Sequence, residues 1–275
     1  MRYPKGSIQL NQSRDLPLLR QILRSEFVTH SQLFDFMKVY HYERSRQSFD
    51  WRLRRLVDRG LVRRQTTSNC TGEFVYSVAS SAAILLQGMG EYCLVGRARF
   101  NGKEAERSVL HSIGLNDIHL SALRAGLLVR WIGSMEVRSQ NELTGFGFAK
   151  DYDAVVTVHT EAGDKRFALE YERSPKPILY YRDVAAALDR EAHVNHVLYL
   201  VSNYDLLQFV SGFFGHGRFR TCFGLVKDWH SQLLDMPVSC RSATRCFRFR
   251  EILDHVATRV DSEMISAKTL PLPFL

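Results

Sequence analysis

One arginine-dense amphipathic stretch constrains this chain more than any other feature. Residues 44–64 carry eight arginines against two acids, Asp50 and Asp58. Within it Phe49, Leu53, Leu56 and Val57 recur at helical spacing, and Gly60 supplies a C-terminal stop. The expected helix starts near Glu43 and ends at Arg59. Its apolar stripe must be buried, which leaves Arg44, Gln47, Ser48, Trp51, Arg54 and Arg55 on the other face. The charge of the whole chain follows the same asymmetry. Residues 1–100 hold 16 Lys and Arg against 8 Asp and Glu, whereas residues 101–275 hold 21 against 21. The entire net charge of +8 therefore lies in the first third. A basic module that meets a polyanion, followed by an electrically neutral second domain, is the organisation this implies.

The segments around the basic helix complete a small module over residues 1–100. Asp15 and Pro17 open a helix with Leu16, Leu18, Leu19, Ile22 and Leu23 apolar, and Thr29 or Ser31 can cap a second one. After Gly60, the segments GLVRRQ and EFVYSV read as two strands joined by a polar turn. Helix, helix, basic helix and a two-stranded wing is the order of a winged helix-turn-helix. In such a module the third helix enters the major groove of double-stranded DNA, while Arg63 and Arg64 at the base of the wing hold phosphates. The alternative is a protein-interaction adaptor, with Trp51 packed against the second domain.

Other classes fall away on composition. A 45% hydrophobic fraction in 275 residues is enough to bury a core, which argues against disorder. No apolar run reaches the roughly 18 residues of a membrane span, so no membrane association is expected. The first residues lack the apolar centre of a signal peptide, and the expected location is the cytoplasm. Cys70, Cys93, Cys222, Cys240 and Cys246 are scattered without a CxxC pair, as expected of reduced thiols rather than a zinc knuckle or disulfide frame.

Residues 101–275 read as a mixed sheet flanked by helices, making the chain α/β in its second domain and α+β overall. A long helix is expected over 104–128, strands over 131–137, 152–158 and 166–172, then a helix from Ile178. HVLYLVS, NYDLLQFVSGFF and CFGLV follow as strand, helix and strand. The chemical signal lies in two neighbouring strands. Asp153 opens one apolar strand, and Glu170 and Glu172 share a face near the end of the next. Three converging carboxylates need a divalent cation or basic groups to offset their repulsion. Asp153 and Glu170 are the candidate ligands of a Mg²⁺ ion, with Arg173, Lys176 and Arg182 as nearby positive charges.

The pattern Asp153…Glu170-x-Glu172 resembles the PD-(D/E)xK nuclease superfamily, with Glu172 at the usual lysine position and Arg173 after it. Glu106 and Asp117 are the candidates for the acid that the first helix of that fold contributes. The wider order resembles the replication-relaxation family of bacterial plasmids and mobile elements. It runs from the winged helix through HSIGLNDIHLSAL, with His111, Asn116 and Asp117, to DYDAVV, FALEYERS and a Tyr-rich helix. The resemblance implies a winged helix joined to a restriction-endonuclease-like domain, and a replication or mobilisation accessory role beside a relaxase or replication protein. From the residues themselves, His111, Asn116 and Asp117 also read as ordinary helix residues. Tyr180 and Tyr181 read as packing residues. A homodimer on a two-fold DNA site is expected, as is a cleavage activity that is weak or absent.

Overall fold

The computed structural model of the chain describes residues 10–67, 72–91, 103–214, 220–240 and 246–254. Cys70 and Cys93 lie outside the described residues. The first part of the chain forms α1 (Asp15–Ser25), β1 (Val28–Thr29), α2 (His30–Val39), α3 (Arg46–Asp58), β2 (Val62–Thr66), β3 (Phe74–Val78) and α4 (Ser80–Gly88). Two of the helix starts have a side-chain cap. Thr29 caps α2 through a reciprocal box with Gln32, which satisfies two backbone donors at once. Ser45 accepts the Ser48 amide and so starts α3 later than the expected Glu43. Gly60, at φ +66°, ends the turn after that helix in the left-handed region.

The strands β2 and β3 pair antiparallel with Arg64 opposite Tyr76, and β1 adds to the far side of β3. Leu18, Leu19, Ile22, Leu33, Phe36, Phe49 and Leu56 are fully buried beneath these strands, together with Leu120 from the helix that follows. α4, with a short apolar stripe and no side-chain cap, went unread in the sequence.

The remainder is a seven-stranded mixed sheet. It is built from α5 (Lys103–Arg124), β4 (Leu128–Gly133), α6 (Ser134–Leu143), β5 (Ala154–Thr160) and β6 (Gly163–Glu172). It continues with α7 (Ile178–Leu188), β7 (His196–Val201), α8 (Tyr204–Ser211), β8 (Arg220–Leu225) and α9 (Val226–Gln232). A single 3₁₀ turn at Leu233–Asp235 leads to β9 (Pro237–Cys240), β10 (Cys246–Arg248) and α10 (Phe249–Asp254). The strand order is β10-β9-β8-β7-β6-β5-β4, parallel across β6-β7-β8 and antiparallel elsewhere. Ile118, Trp229 and Phe249 carry α5, α9 and α10 onto one face. Val137, Tyr181 and Val210 carry α6, α7 and α8 onto the other. The helices therefore flank the sheet on both sides, as parallel central strands require.

Two sequence expectations give way here. The long helix stops at Arg124, where Gly126 at φ +68° turns the chain into β4 before residue 128. The strand expected over 131–137 ends at Gly133, and Met135 and Val137 are buried from a helix instead. Apolar residues two apart fit either period over so short a run.

Helix α5 packs against both parts. Asn116 donates to the Phe27 carbonyl at 2.8 Å, and Gln32 donates to the Ile113 carbonyl and to Asp117 at 2.8 and 2.7 Å. Arg124 pairs with Asp35 at 2.5 Å.

Candidate functional site

Two places in the fold gather the residues singled out by sequence. The first is the outward side of α3. Gln47, Trp51 and Arg54 are exposed there, Trp51 at 60% of its surface, and Arg63 and Arg64 are exposed on β2; Arg44, expected on the helix, is exposed in the turn before its cap Ser45. Arg64 lies over the Phe74 ring at 4.5 Å, on the same hairpin. Ser48 is half-buried in the first turn, where its amide is taken by Ser45.

Arg55 departs from the expected face. Its guanidinium is bonded to the fully buried Asp15 at the start of α1, and it lies 5.1 Å from the Trp51 ring. Arg52 meets the other oxygen of Asp15 at 3.0 Å and Glu43 at 2.5 Å. A buried carboxylate is tolerated only with such partners. Asp15 therefore holds two of the arginines inward and leaves Arg54 outward.

The second place lies at the end of β5 and β6. The register Ala154↔Leu169 brings Asp153 beside Glu170, and Glu170 and Glu172 are buried on the sheet face that α7 covers. The three carboxylates do converge, each against a basic side chain. Asp153 accepts from the Tyr171 amide at 2.7 Å and meets His111 Nε2 at 3.1 Å. Glu170 meets Lys150 Nζ at 2.5 Å, and Glu172 meets Lys176 Nζ at 3.1 Å.

Lys150 escaped the sequence reading. It stands three residues before Asp153, in a loop without periodicity, and nothing in the pattern pointed it at the sheet. Buried Glu191 fixes that loop by accepting from the Ala149 amide at 2.9 Å and from the Tyr152 hydroxyl at 2.7 Å.

Burial and these partners pull the acids apart. Burial raises Asp153, but His111, the Tyr171 amide and Lys150 outweigh it and hold the carboxyl at about 2. Burial pushes Glu170 up to about 7 against the pull of Lys150, with the Asp153 charge adding to the rise. Glu172 is raised by burial against the pull of Lys176. Burial alone would lower His111, and the Asp153 charge reverses that into a rise.

The other expected site residues sit around this cluster. Arg173 is exposed and hydrogen-bonds the Tyr171 hydroxyl. Arg182 is exposed on α7. Lys176 serves Glu172 and lies 4.4 Å from the Tyr180 ring, while Tyr181 is fully buried with its hydroxyl accepting from the Lys176 amide. From α5 it is His111 that reaches Asp153. Asp117 is bonded to Gln32 on α2, and Glu106 stands half-exposed nearer the start of the helix.

A Mg²⁺ ion takes several oxygen ligands in near-octahedral array. Both Asp153 oxygens are occupied here, and Lys150 and Lys176 sit on the two glutamates. Among the described residues no three His, Cys, Asp or Glu side chains form a group able to hold a metal ion. The donor set as arranged does not fit the ion.

Comparison of the chain with protein-family models, with curated proteins and with solved structures gave no match. Among the described residues no helix is long and apolar enough to cross a membrane.

Proposed function

We propose that this chain is a double-stranded DNA-binding protein whose first module works as a winged helix, with α3 as the reading helix and the β2–β3 hairpin as the wing. The observation that carries this is the sorting of the α3 arginines by Asp15. Arg52 and Arg55 are consumed inside the module, Gln47, Trp51 and Arg54 remain on one exposed helix face, and Arg44 is exposed just before the helix. An α-helix fits the major groove, where Arg and Gln can reach base edges. Arg63 and Arg64 stand where a wing meets phosphates. The +8 charge confined to residues 1–100 supplies the long-range attraction.

The second module is proposed as a nuclease-like body in which Lys150, His111 and Lys176 balance the three acids. That suits a regulator, or a replication or mobilisation accessory of the replication-relaxation type, better than a cleaving enzyme. Mg²⁺-dependent cleavage would require an ion to displace Lys150 and His111.

The experiment is fluorescence anisotropy of the full chain on labelled random duplexes at several salt concentrations. Affinity is expected to fall steeply with salt as phosphate contacts release counterions. Arg54→Ala is expected to weaken binding by about tenfold, within the range for a side chain that reads a base. Salt-independent binding, or none at low salt, favours the interaction-adaptor reading instead.

A further inference from the structure

His30 opens α2, Arg46 opens α3, and their side chains meet. Arg46 Nη2 lies 2.7 Å from His30 Nδ1, and His30 Nε2 lies 2.9 Å from Asp50 Oδ1. A guanidinium has only donors, so Nδ1 must offer its lone pair and the ring's one proton sits on Nε2, toward Asp50. The imidazole is therefore neutral in this arrangement. It is wedged edge-on against Phe49, with centroids 5.1 Å apart, and the Tyr76 ring on β3 stands 6.0 Å away. Glu73, just before that strand, accepts from the Ser31 hydroxyl. Burial and the Arg46 charge lower the imidazole from its ordinary 6.5, against the pull of Asp50 and Glu73.

Arg46 is the open end of this chain of contacts. Its side chain is 52% exposed, its guanidinium lies 5.3 Å from the Phe34 ring, and its Nε is 3.8 Å from Asp50. The dipole of α3 opposes a cation in its first turn, so Arg46 keeps its place through His30, Phe34 and Asp50. A proton on Nδ1 would set donor against donor and one positive charge against another. The imidazolium would keep Asp50, and Arg46 would have to leave. It lines the cleft between α3 and the β2–β3 hairpin, which Arg54 and Arg64 also line. Of the other acids there, Asp58 stands at the opposite end of α3 and Glu73 is taken by Ser31. A released guanidinium is thus left for an anion outside the module.

We propose that Arg46 is a further phosphate-contacting residue of α3 and that His30 gates it, the neutral ring holding the guanidinium on the module and the protonated ring releasing it to the DNA backbone. The inference rests on the DNA-binding reading and makes that binding proton-linked. Whatever favours the released arginine favours the protonated ring, so duplex binding raises the His30 pKa by the same coupling. Affinity then rises as pH falls below 6.5.

The test is fluorescence anisotropy of the full chain on a labelled random duplex at about pH 7.5 and about pH 5.5, with salt varied at each. The wild type is expected to gain about tenfold in affinity at the lower pH, the scale of one charge-assisted contact, with a salt slope steeper by about one. His30→Gln keeps an acceptor for Arg46 and a donor for Asp50 but takes up no proton, and it is expected to lose that gain. Arg46→Ala, a change at a half-exposed side chain, is expected to lose both the gain and the extra slope. The other histidines and the acids of the second module titrate alike in all three proteins, so the difference between them isolates His30. In the free chain, the NMR titration of His30 is expected to move up toward 6.5 in Arg46→Ala, which tests the contact without DNA. A gain that either variant keeps overturns the proposal, as does a His30 titration that Arg46→Ala leaves unmoved. Arg54→Ala, measured beside them, weakens binding at both pH values if α3 reads DNA, so failure of the gate leaves that result standing. Duplex binding that is absent or indifferent to salt at both pH values overturns the DNA-binding reading and the gate with it.

Discussion

Lys150 Nζ lies 2.5 Å from Glu170 Oε1, with the lysine almost enclosed and the glutamate 4% exposed. A buried pair of this kind is weak evidence for stability as a pair, but breaking it leaves one charge without compensation. Lys150→Met is therefore expected to destabilise the protein by about 3 kcal/mol in urea titration, since Glu170 then keeps only the Lys176 charge to set against burial and the Asp153 charge. Adding Glu170→Leu to the same chain should recover most of that loss. A double variant no more stable than the single one would show that Lys150 acts by packing over Tyr152, 5.4 Å from its ring, rather than by charge.

The two acids beside it should separate in a pH titration of stability. Asp153 is held at about 2, below its ordinary 3.8, so its contribution is present above 3.8 and lost as pH falls toward 2. Glu170 is raised from 4.5 to about 7, so its contribution is present below 4.5 and lost as pH rises through 7. His111, raised above 6.5, adds to that alkaline loss. Stability is thus expected to peak between about 4 and 5, from these three groups, and to decline toward neutral pH. Asp153→Asn should flatten the acid limb, and Glu170→Gln the neutral one. Unchanged limbs in both variants would refute the assignment.

What the sequence made legible follows from how local each signal is. The helices α1, α2 and α3, the β2–β3 hairpin and the β5–β6 pair each carry their own periodicity and punctuation, and they stand close to where spacing put them. The convergence of Asp153, Glu170 and Glu172 was legible too, because alternation in a strand fixes the face. The charges that answer them were not. Lys150 sits in a loop held by Glu191, which lies 42 residues from Ala149, and no local pattern encodes that contact. Arg55 failed for a related reason. Helical spacing placed it on the open face, but Asp15, 40 residues earlier, draws its guanidinium inward.

Arg54 and Arg55 are neighbours with opposite expected phenotypes. Arg54→Ala should leave thermal stability within about 0.5 kcal/mol, as for most surface changes, while weakening duplex binding. Arg55→Ala removes one of two guanidinium partners from Asp15 and should cost about 1–2 kcal/mol, with Arg52 still in place to keep the carboxylate paired. Calorimetry and anisotropy on the same preparations separate the two effects. Equal losses of affinity without any loss of stability in Arg55→Ala would return Arg55 to the reading face.

Gly114 offers a test of the α5–β6 contact in which two rules predict opposite signs. It lies inside α5, where replacing glycine by alanine ordinarily stabilises a helix by up to about 1 kcal/mol. Here the added Cβ would fall within the ring of Tyr171, 2.7 Å from its Cζ, and the clash involves the whole ring rather than a flexible chain end. Tyr171 is buried, its ring lies 5.3 Å from that of His111, and its amide holds Asp153. To make room, either α5 must lift from the sheet or the tyrosine must turn, and either movement disturbs the His111–Asp153 pair. Overpacking of this kind costs about 1–3 kcal/mol, which outweighs the propensity gain. Gly114→Ala is therefore expected to destabilise the protein in urea titration. The histidine should also show the strain, because a loosened Asp153 no longer sustains its raised pKa. The His111 titration followed by NMR should accordingly move toward 6.5 in the variant. A Gly114→Ala protein as stable as the wild type, with His111 unmoved, would mean that the helix and β6 are not in the contact described.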